Sequence, residues 1–251
     1  MGNFDLLSLL PFIGAGFAAQ LVDGALGMAF GVISNTLLIS LGVAPAAASA
    51  GVHTVETFTT CVSGISHIIH RNVDWRMLGR LTLPGMIGAA SGAYLLTQVD
   101  GATAKPFVLA YLSLIGLFLV WRGVRYPPTH KPPRIIEPLG LAGGFLDAAG
   151  GGGWGPVVTG NLLMQGAEPR RTIGTVNTAE FLVTLTSALT FVAALGIKAF
   201  TVATLGLLIG GVLAAPVGAW LVKRVPAKPL LVAVGILLSL TSAYGIYRAL
   251  A

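Results

Sequence analysis

The chain has 251 residues, of which 55% are hydrophobic and only 10% charged, with a mean hydropathy of +0.84. A soluble domain carries about a quarter charged residues, so a water-soluble enzyme or binding module is excluded. The net charge of +6 does not describe a nucleic-acid surface either, because the Lys and Arg residues sit in short loops, as in "HRNVDWRMLGR", "WRGVRYPPTHKPPR" and "VKRVPAK". That distribution is the topology signal of a membrane protein.

Apolar runs cover residues 6–22, 31–41, 45–69, 77–96, 104–121, 135–165, 172–195, 200–222 and 229–250. Several reach the roughly 20 residues a helix needs to cross a bilayer core. No basic segment precedes the first run, so a cleaved signal peptide is not expected. The first run leads into "VDGALGMAFG", where Asp23 precedes a glycine-bearing break. The third opens on Pro45, carries "HTVE" at 53–56, and holds the lone Cys61, which can form no internal disulfide. After the basic loop 71–80, two further runs lead to the Pro-rich stretch "YPPTHKPPR" at 126–134. Run 135–165 is interrupted by "FLDAAGGGGWGPVV", with Asp147 and four consecutive glycines in otherwise oily surroundings. Trp75, Tyr94, Trp121 and Trp220 fall at run ends, as interfacial anchors do.

The second half repeats the first at a spacing of about 124 residues. Asp23 matches Asp147, Gly27 matches Gly151, Phe30 matches Trp154, Gly31 matches Gly155, and Pro45 matches Pro169. "HTVE" at 53–56 falls on "NTAE" at 177–180, and "GAYLL" at 92–96 falls on "GAWLV" at 218–222. Shared apolarity alone does not align Asp, Glu, Pro and Gly together. The expected organisation is therefore a first transmembrane repeat at 1–125, a cytoplasmic linker at 126–134, and a second repeat at 135–251.

The basic residues decide the relation between the copies. Four spans per repeat would make them parallel and split the fifteen Lys and Arg nine to six. If the first segment instead enters and returns on one side, the copies are inverted. Twelve basic residues, in loops 71–80, 122–134, 170–171 and 223–228, then share the cytoplasmic side. Only Lys105, Lys198 and Arg248 face the other side, as the positive-inside rule prefers. Segment 135–146 is also short, about 18 Å of helix against a core of about 30 Å. The first copy is less decisive, because 6–22 nearly spans. The expected fold is all-α and polytopic, with two inverted-topology repeats. Each has a Gly-broken first segment, re-entrant or spanning, followed by three transmembrane helices.

Non-helical backbone at membrane depth must be buried in protein or line a wet cavity. "GGGGWGP" reads as a turn that starts a half-helix, with Pro156 in its first turn and free N–H groups facing the break. Two such tips facing one another form an anion site that needs little help from Lys or Arg. The expected lining is Gly27, Phe30 and Gly31 with Gly151, Gly152, Gly153 and Trp154, and a side chain on Gly152 or Gly153 would fill the anion's place. Helix packing is the competing role for such glycines. His53, Thr54, Asn177 and Thr178 are expected donors to the solute. Glu56 and Glu180, one per repeat inside apolar runs, either carry protons or tie broken backbone together, and Asp23 and Asp147 cap or order the turns. His53 and Glu56 share a helix face, yet the match of His53 to Asn177 argues against a metal. No metal and no cofactor are expected.

The duplicated "VDGALGMAFG" and "LDAAGGGGWG", the "GVAPAAASAGVHTVE" and "GAEPRRTIGTVNTAE" entries, the "RNVDW" loop and the "GAASGAYL" helix together resemble the sulfite exporter TauE/SafE family of membrane transporters. The resemblance covers nearly the whole chain. It implies export of small sulfur-containing anions (sulfite, thiosulfate or organosulfonates) across the prokaryotic inner membrane. Family members often keep G-x-G-G-G in the first copy, where this chain has Met28, Ala29 and Phe30. A secondary transporter working by alternating access is the leading expectation, with the lipid bilayer and the anion as partners and no nucleic acid. A homodimer is among the allowed assemblies. A passive anion channel is the alternative. An intramembrane enzyme using His53, Glu56 and Asp147 is less favoured, because no further His, Cys or Ser lies at a catalytic spacing.

Overall fold

The computed structural model describes residues 9–26, 28–125, 132–196, 202–221 and 227–250. Among these residues the chain forms ten α-helices and no strand. They are α1 (Leu10–Leu26), α2 (Phe30–Ser40), α3 (Pro45–Ile69), α4 (Trp75–Gln98), α5 (Gly101–Val124), α6 (Glu137–Gly150), α7 (Gly160–Met164), α8 (Pro169–Leu195), α9 (Val202–Leu221) and α10 (Ala227–Leu250). A π-helical turn, Gly155–Thr159, leads into α7.

Local chemistry sets the ends. Asp74 accepts hydrogen bonds from the amides of Arg76 and Met77 to start α4, and Asp100 does the same for Ala102 and Thr103 at α5. Pro45 sits in the first turn of α3, where its missing N–H costs nothing. Helices α3, α4, α5, α8 and α10 have 24 to 27 residues, roughly 36–40 Å at 1.5 Å per residue. Among the described residues, two stretches, Gly101–Trp121 and Arg171–Leu195, are both long and apolar enough to span a membrane by themselves. The burial pattern is that of a bilayer protein: Leu83, Phe107, Leu114 and Leu240 are exposed, while His53, Asp147, Asn35 and Glu56 are buried.

Each half of the chain supplies a broken pair (α1/α2; α6/α7) and three long helices. The most extensive packing joins α1 to α9, α6 to α4, α5 to α10 and α3 to α8, so every major contact crosses between repeats. Contact order along the helices gives their directions. Gly206 lies against Leu9 and Phe12, and Gly210 against Ile13 and Phe17, so α1 and α9 run together. Gly51 against Thr204 and Gly211 against Thr59 align α3 with α9 as well. In the same way Gly140 against Leu81 and Gly144 against Ala89 align α6 with α4. The matched helices are opposed. Gly64 meets Thr178 while His53 meets Phe191, so α3 and α8 are antiparallel. Gly116 meets Gly235 and Gly245 meets Leu109, so α5 and α10 are too.

The second broken segment folds back on itself. Val158 packs on Gly143, and the Gln165 side chain accepts from the amides of Arg134 and Ile135, bringing its two ends side by side. At that open end Arg80 pairs with Glu137, a partly exposed ion pair tying α4 to α6. In the first segment, Gly31 lies against Glu56, and Ser40 leads through a four-residue turn to Pro45, so α2 runs back along α3. Trp75, Tyr94 and Trp121 are exposed. Residues 126–131 of the linker and Lys198, Lys223 and Arg224 lie outside the described residues, as does the side chain of Trp220.

Candidate functional site

Helix α6 stops at Gly151 (φ 72), followed by Gly152 (φ 133) and Gly153 (φ 148). Three successive positive φ values are open to glycine and strained for other residues. Asp147, one turn before the break, spans it. Its backbone oxygen accepts from Gly152 N at 2.8 Å, and its Oδ1 accepts from Trp154 N at 2.9 Å, capping the outgoing half-helix. The first repeat carries the same device: Asp23 Oδ1 accepts from Phe30 N at 3.4 Å, seven residues ahead. Ala29 there adopts φ 103, at the position that matches Gly153. Gly27 lies outside the described residues.

The tip aromatics are anchors, both fully buried. Trp154 packs beneath Gly85 of α4, and its indole Nε1 donates to Val176 O at 3.2 Å. Phe30 packs beneath Gly211 of α9. The two tips meet in the middle of the protein. A β-carbon on Gly152 would lie 2.5 Å from Gly31 C and Val32 N, and one on Gly31 would lie 3.0 Å from Gly152 Cα. Asn35 of α2 donates from Nδ2 to Gly150 O at 3.3 Å, beside Gly151. The glycine run is therefore packed against α2 backbone, so close approach is one reason for its composition.

Helix α3 fastens the second tip. Ser49 Oγ donates to Ala148 O at 2.8 Å, and His53 Nε2 lies 3.0 Å from Asp147 Oδ2. His53 Nδ1 faces Ser49 O at 2.8 Å and Ser49 Oγ at 3.2 Å. Both neighbours act as acceptors, since the Ser49 hydroxyl hydrogen is spent on Ala148, so Nδ1 carries a hydrogen. The short Nε2–Oδ2 contact then needs a second one. The fully buried pair thus shares a proton beyond a neutral imidazole and a carboxylate.

Glu56 places Oε1 against Gly31 at the start of α2, while its Oε2 is buried without a hydrogen-bond partner. Glu56 lies within electrostatic reach of Asp23, Asp147 and His53, and Glu180 of Asp23, Glu56 and Asp147. The structure thus gathers His53 and the four carboxylates around the two tips. It turns the remaining donors elsewhere. Asn177 Nδ2 lies 3.4 Å from His67 Nε2, Thr54 Oγ1 donates to Ala50 O, and Thr178 Oγ1 donates to Gly174 O. The His53–Asp147 bridge thus joins the two halves of the chain, while Asn177, the match of His53, faces His67 instead.

Two surface cavities accompany this centre. One of about 400 Å³ is lined by His70, Arg71, Asn72, Glu168 and Arg171, at the start of α8. The other, of about 310 Å³, is lined by residues that include Ile39, Gly42, Lys105 and Tyr244. Neither reaches the glycine tips. Asn35, Ser49 and Tyr111 also belong to the centre and are missing from the sequence reading. Asn35 is the one with a signal, an amide inside the apolar run "FGVISNTLLIS".

An all-helical core of buried carboxylates, two broken segments touching tip to tip and an apolar exterior define a membrane-embedded protein of the transporter class. The sulfite exporter TauE/SafE family model matches residues 12–245, and the chain belongs to that family of membrane transporters. It is 43% identical over 225 residues to the probable membrane transporter protein YtnM of Bacillus subtilis (strain 168), covering 86% of this chain and 75% of that one. No solved structure matches the chain.

Proposed function

We propose that the protein is a secondary transporter of the prokaryotic inner membrane that exports a small sulfur-containing anion (sulfite, thiosulfate or an organosulfonate) by alternating access. The observation that carries this reading is the meeting of the two broken hairpins, Gly31 against Gly152, among buried polar groups in an otherwise apolar protein. Half-helix N-termini present oriented N–H donors and the positive end of the helix dipole, which suits an anion. In this conformation Asp23 and Asp147 hold the first of those amides. They act as internal anions, which an incoming oxyanion replaces when the hairpins part. The substrate set runs through Gly31, Phe30, Gly151, Gly152, Gly153, Trp154 and His53.

The two halves are read as inverted repeats, 1–125 and 135–251. The antiparallel course of α3 against α8 and of α5 against α10 supports this, since copies related by an axis along the membrane normal would run parallel. The shared direction of α1 and α3, and the Gln165 clasp at the base of the second hairpin, support re-entrant first segments. Basic loops 71–80, 122–134, 170–171 and 223–228 then face the cytoplasm, and the Arg71–Arg171 cavity becomes the inner mouth. An inside-negative potential favours anion export by about 2.3 kcal/mol per charge per 100 mV.

The test is efflux from proteoliposomes loaded with sulfite, thiosulfate or methanesulfonate. Saturable efflux of at least one anion, above that of protein-free vesicles, is expected. Non-saturating flux identifies a channel instead, and no excess flux for any of the three refutes the reading.

A further inference from the structure

We propose that the Tyr111 hydroxyl is a hydrogen-bond donor to the transported oxyanion and a determinant of its specificity, an assignment that rests on the transporter reading. Tyr111 lies on α5, outside both broken hairpins. The residue is half-buried, but its hydroxyl oxygen is buried and has no hydrogen-bond partner. That hydroxyl is aimed at the break. A β-carbon on Gly153 would collide with the Tyr111 hydroxyl, and one on Gly150 with its ring. The phenol thus lies along the glycine run next to the N-terminus of the outgoing half-helix.

One further buried oxygen without a partner, Asn35 Oδ1, borders the same junction beside Gly151, but it only accepts. A buried polar group left unpaired costs about 1–3 kcal/mol. The Tyr111 hydroxyl is the one of these that can donate, so a ligand that accepts, such as an oxyanion, completes its bonding. A phenol is suited to an oxyanion because its hydroxyl hydrogen rotates to meet the oxygen and its acidity strengthens the bond. Tyr111 also settles which tip is used. With Lys105-Pro106 on Lys228-Pro229, the position matching Tyr111 in the second repeat is Val234, which donates nothing. The oxyanion is therefore held at the Gly151–Gly153 tip, by Tyr111 and half-helix amides, and not symmetrically between two equal tips.

The experiment compares the full chain with Tyr111→Phe in detergent, titrating sulfite, thiosulfate and methanesulfonate and reading thermal shift. Without anion, Tyr111→Phe is expected to unfold at the same temperature or higher, because it loses a hydroxyl that has no partner. For the anion that stabilises the original chain, its Kd is expected to weaken about tenfold, with a matching rise in efflux KM. An unchanged Kd overturns the proposal, and so does a variant that fails to fold or melts lower without anion, since the hydroxyl is then structural. If the unsubstituted chain neither binds nor exports any of the three anions, the transporter reading itself falls.

Discussion

Asp147 makes two bonds with its two oxygens, and replacing it separates their effects. In Asp147→Ala the Trp154 amide loses its cap, and the fully buried His53 loses its partner at Nε2. Loss of a cap costs about 0.5–2 kcal/mol, and breaking a buried charged pair costs about 3–5 kcal/mol. The second effect dominates, and part of the first is recovered as the half-helix relaxes. A net loss of about 4 kcal/mol lowers Tm by on the order of 10 °C in a chain of this size. Asp147→Asn behaves differently. Its Oδ1 still accepts from Trp154, while its Nδ2 donates to an unprotonated His53 Nε2, so no buried donor or acceptor is stranded. The remaining loss is the difference between a charge-assisted and a neutral hydrogen bond, about 1 kcal/mol, or about 3 °C. Thermal unfolding of both variants in one detergent is the assay. An asparagine variant as unstable as the alanine variant would show that the shared proton, and not the two hydrogen bonds, holds the tip.

Gly152→Ala is expected to cut both abundance and transport. Its β-carbon meets the backbone of Gly31 and Val32 at 2.5 Å where φ is 133, so strain and overpacking together cost about 2–6 kcal/mol. Western blotting of membranes checks this, and full expression with lost flux would restore the view that the side chain only fills the anion's place. Glu180→Gln is expected to flatten the pH dependence of efflux while leaving the melting temperature near the original value. An unchanged pH profile assigns Glu180 to structure.

Much of the fold was legible in the residues. Asp23 and Asp147, matched in the sequence and expected there to cap or order the turns, each accept from the amide of the matched aromatic, Phe30 and Trp154. The alignment that pairs "GAYLL" with "GAWLV" also pairs Gly85 with Gly211, the two glycines that roof Trp154 and Phe30. Asn177 and Thr178 carry donors suited to a solute, and in this structure they face His67 and their own helix. A residue type states what can be donated, but helix rotation decides to whom.

By itself the sequence determined a helical membrane protein, its two-fold repetition and the places where helices must stop. Those are consequences of apolar run length, of matched Asp, Gly and Pro, and of glycine's tolerance of positive φ, all of which act within a few residues. Only the tertiary structure decided that His53 meets Asp147 across 94 positions, that Gly152 rests on Gly31, and that Tyr111 reaches the break from a helix with no mark of function. Apolar faces pack without specifying partners. The pairing of α3, α5 and the two hairpins is settled by the shapes of all ten helices at once, and no local pattern encodes that.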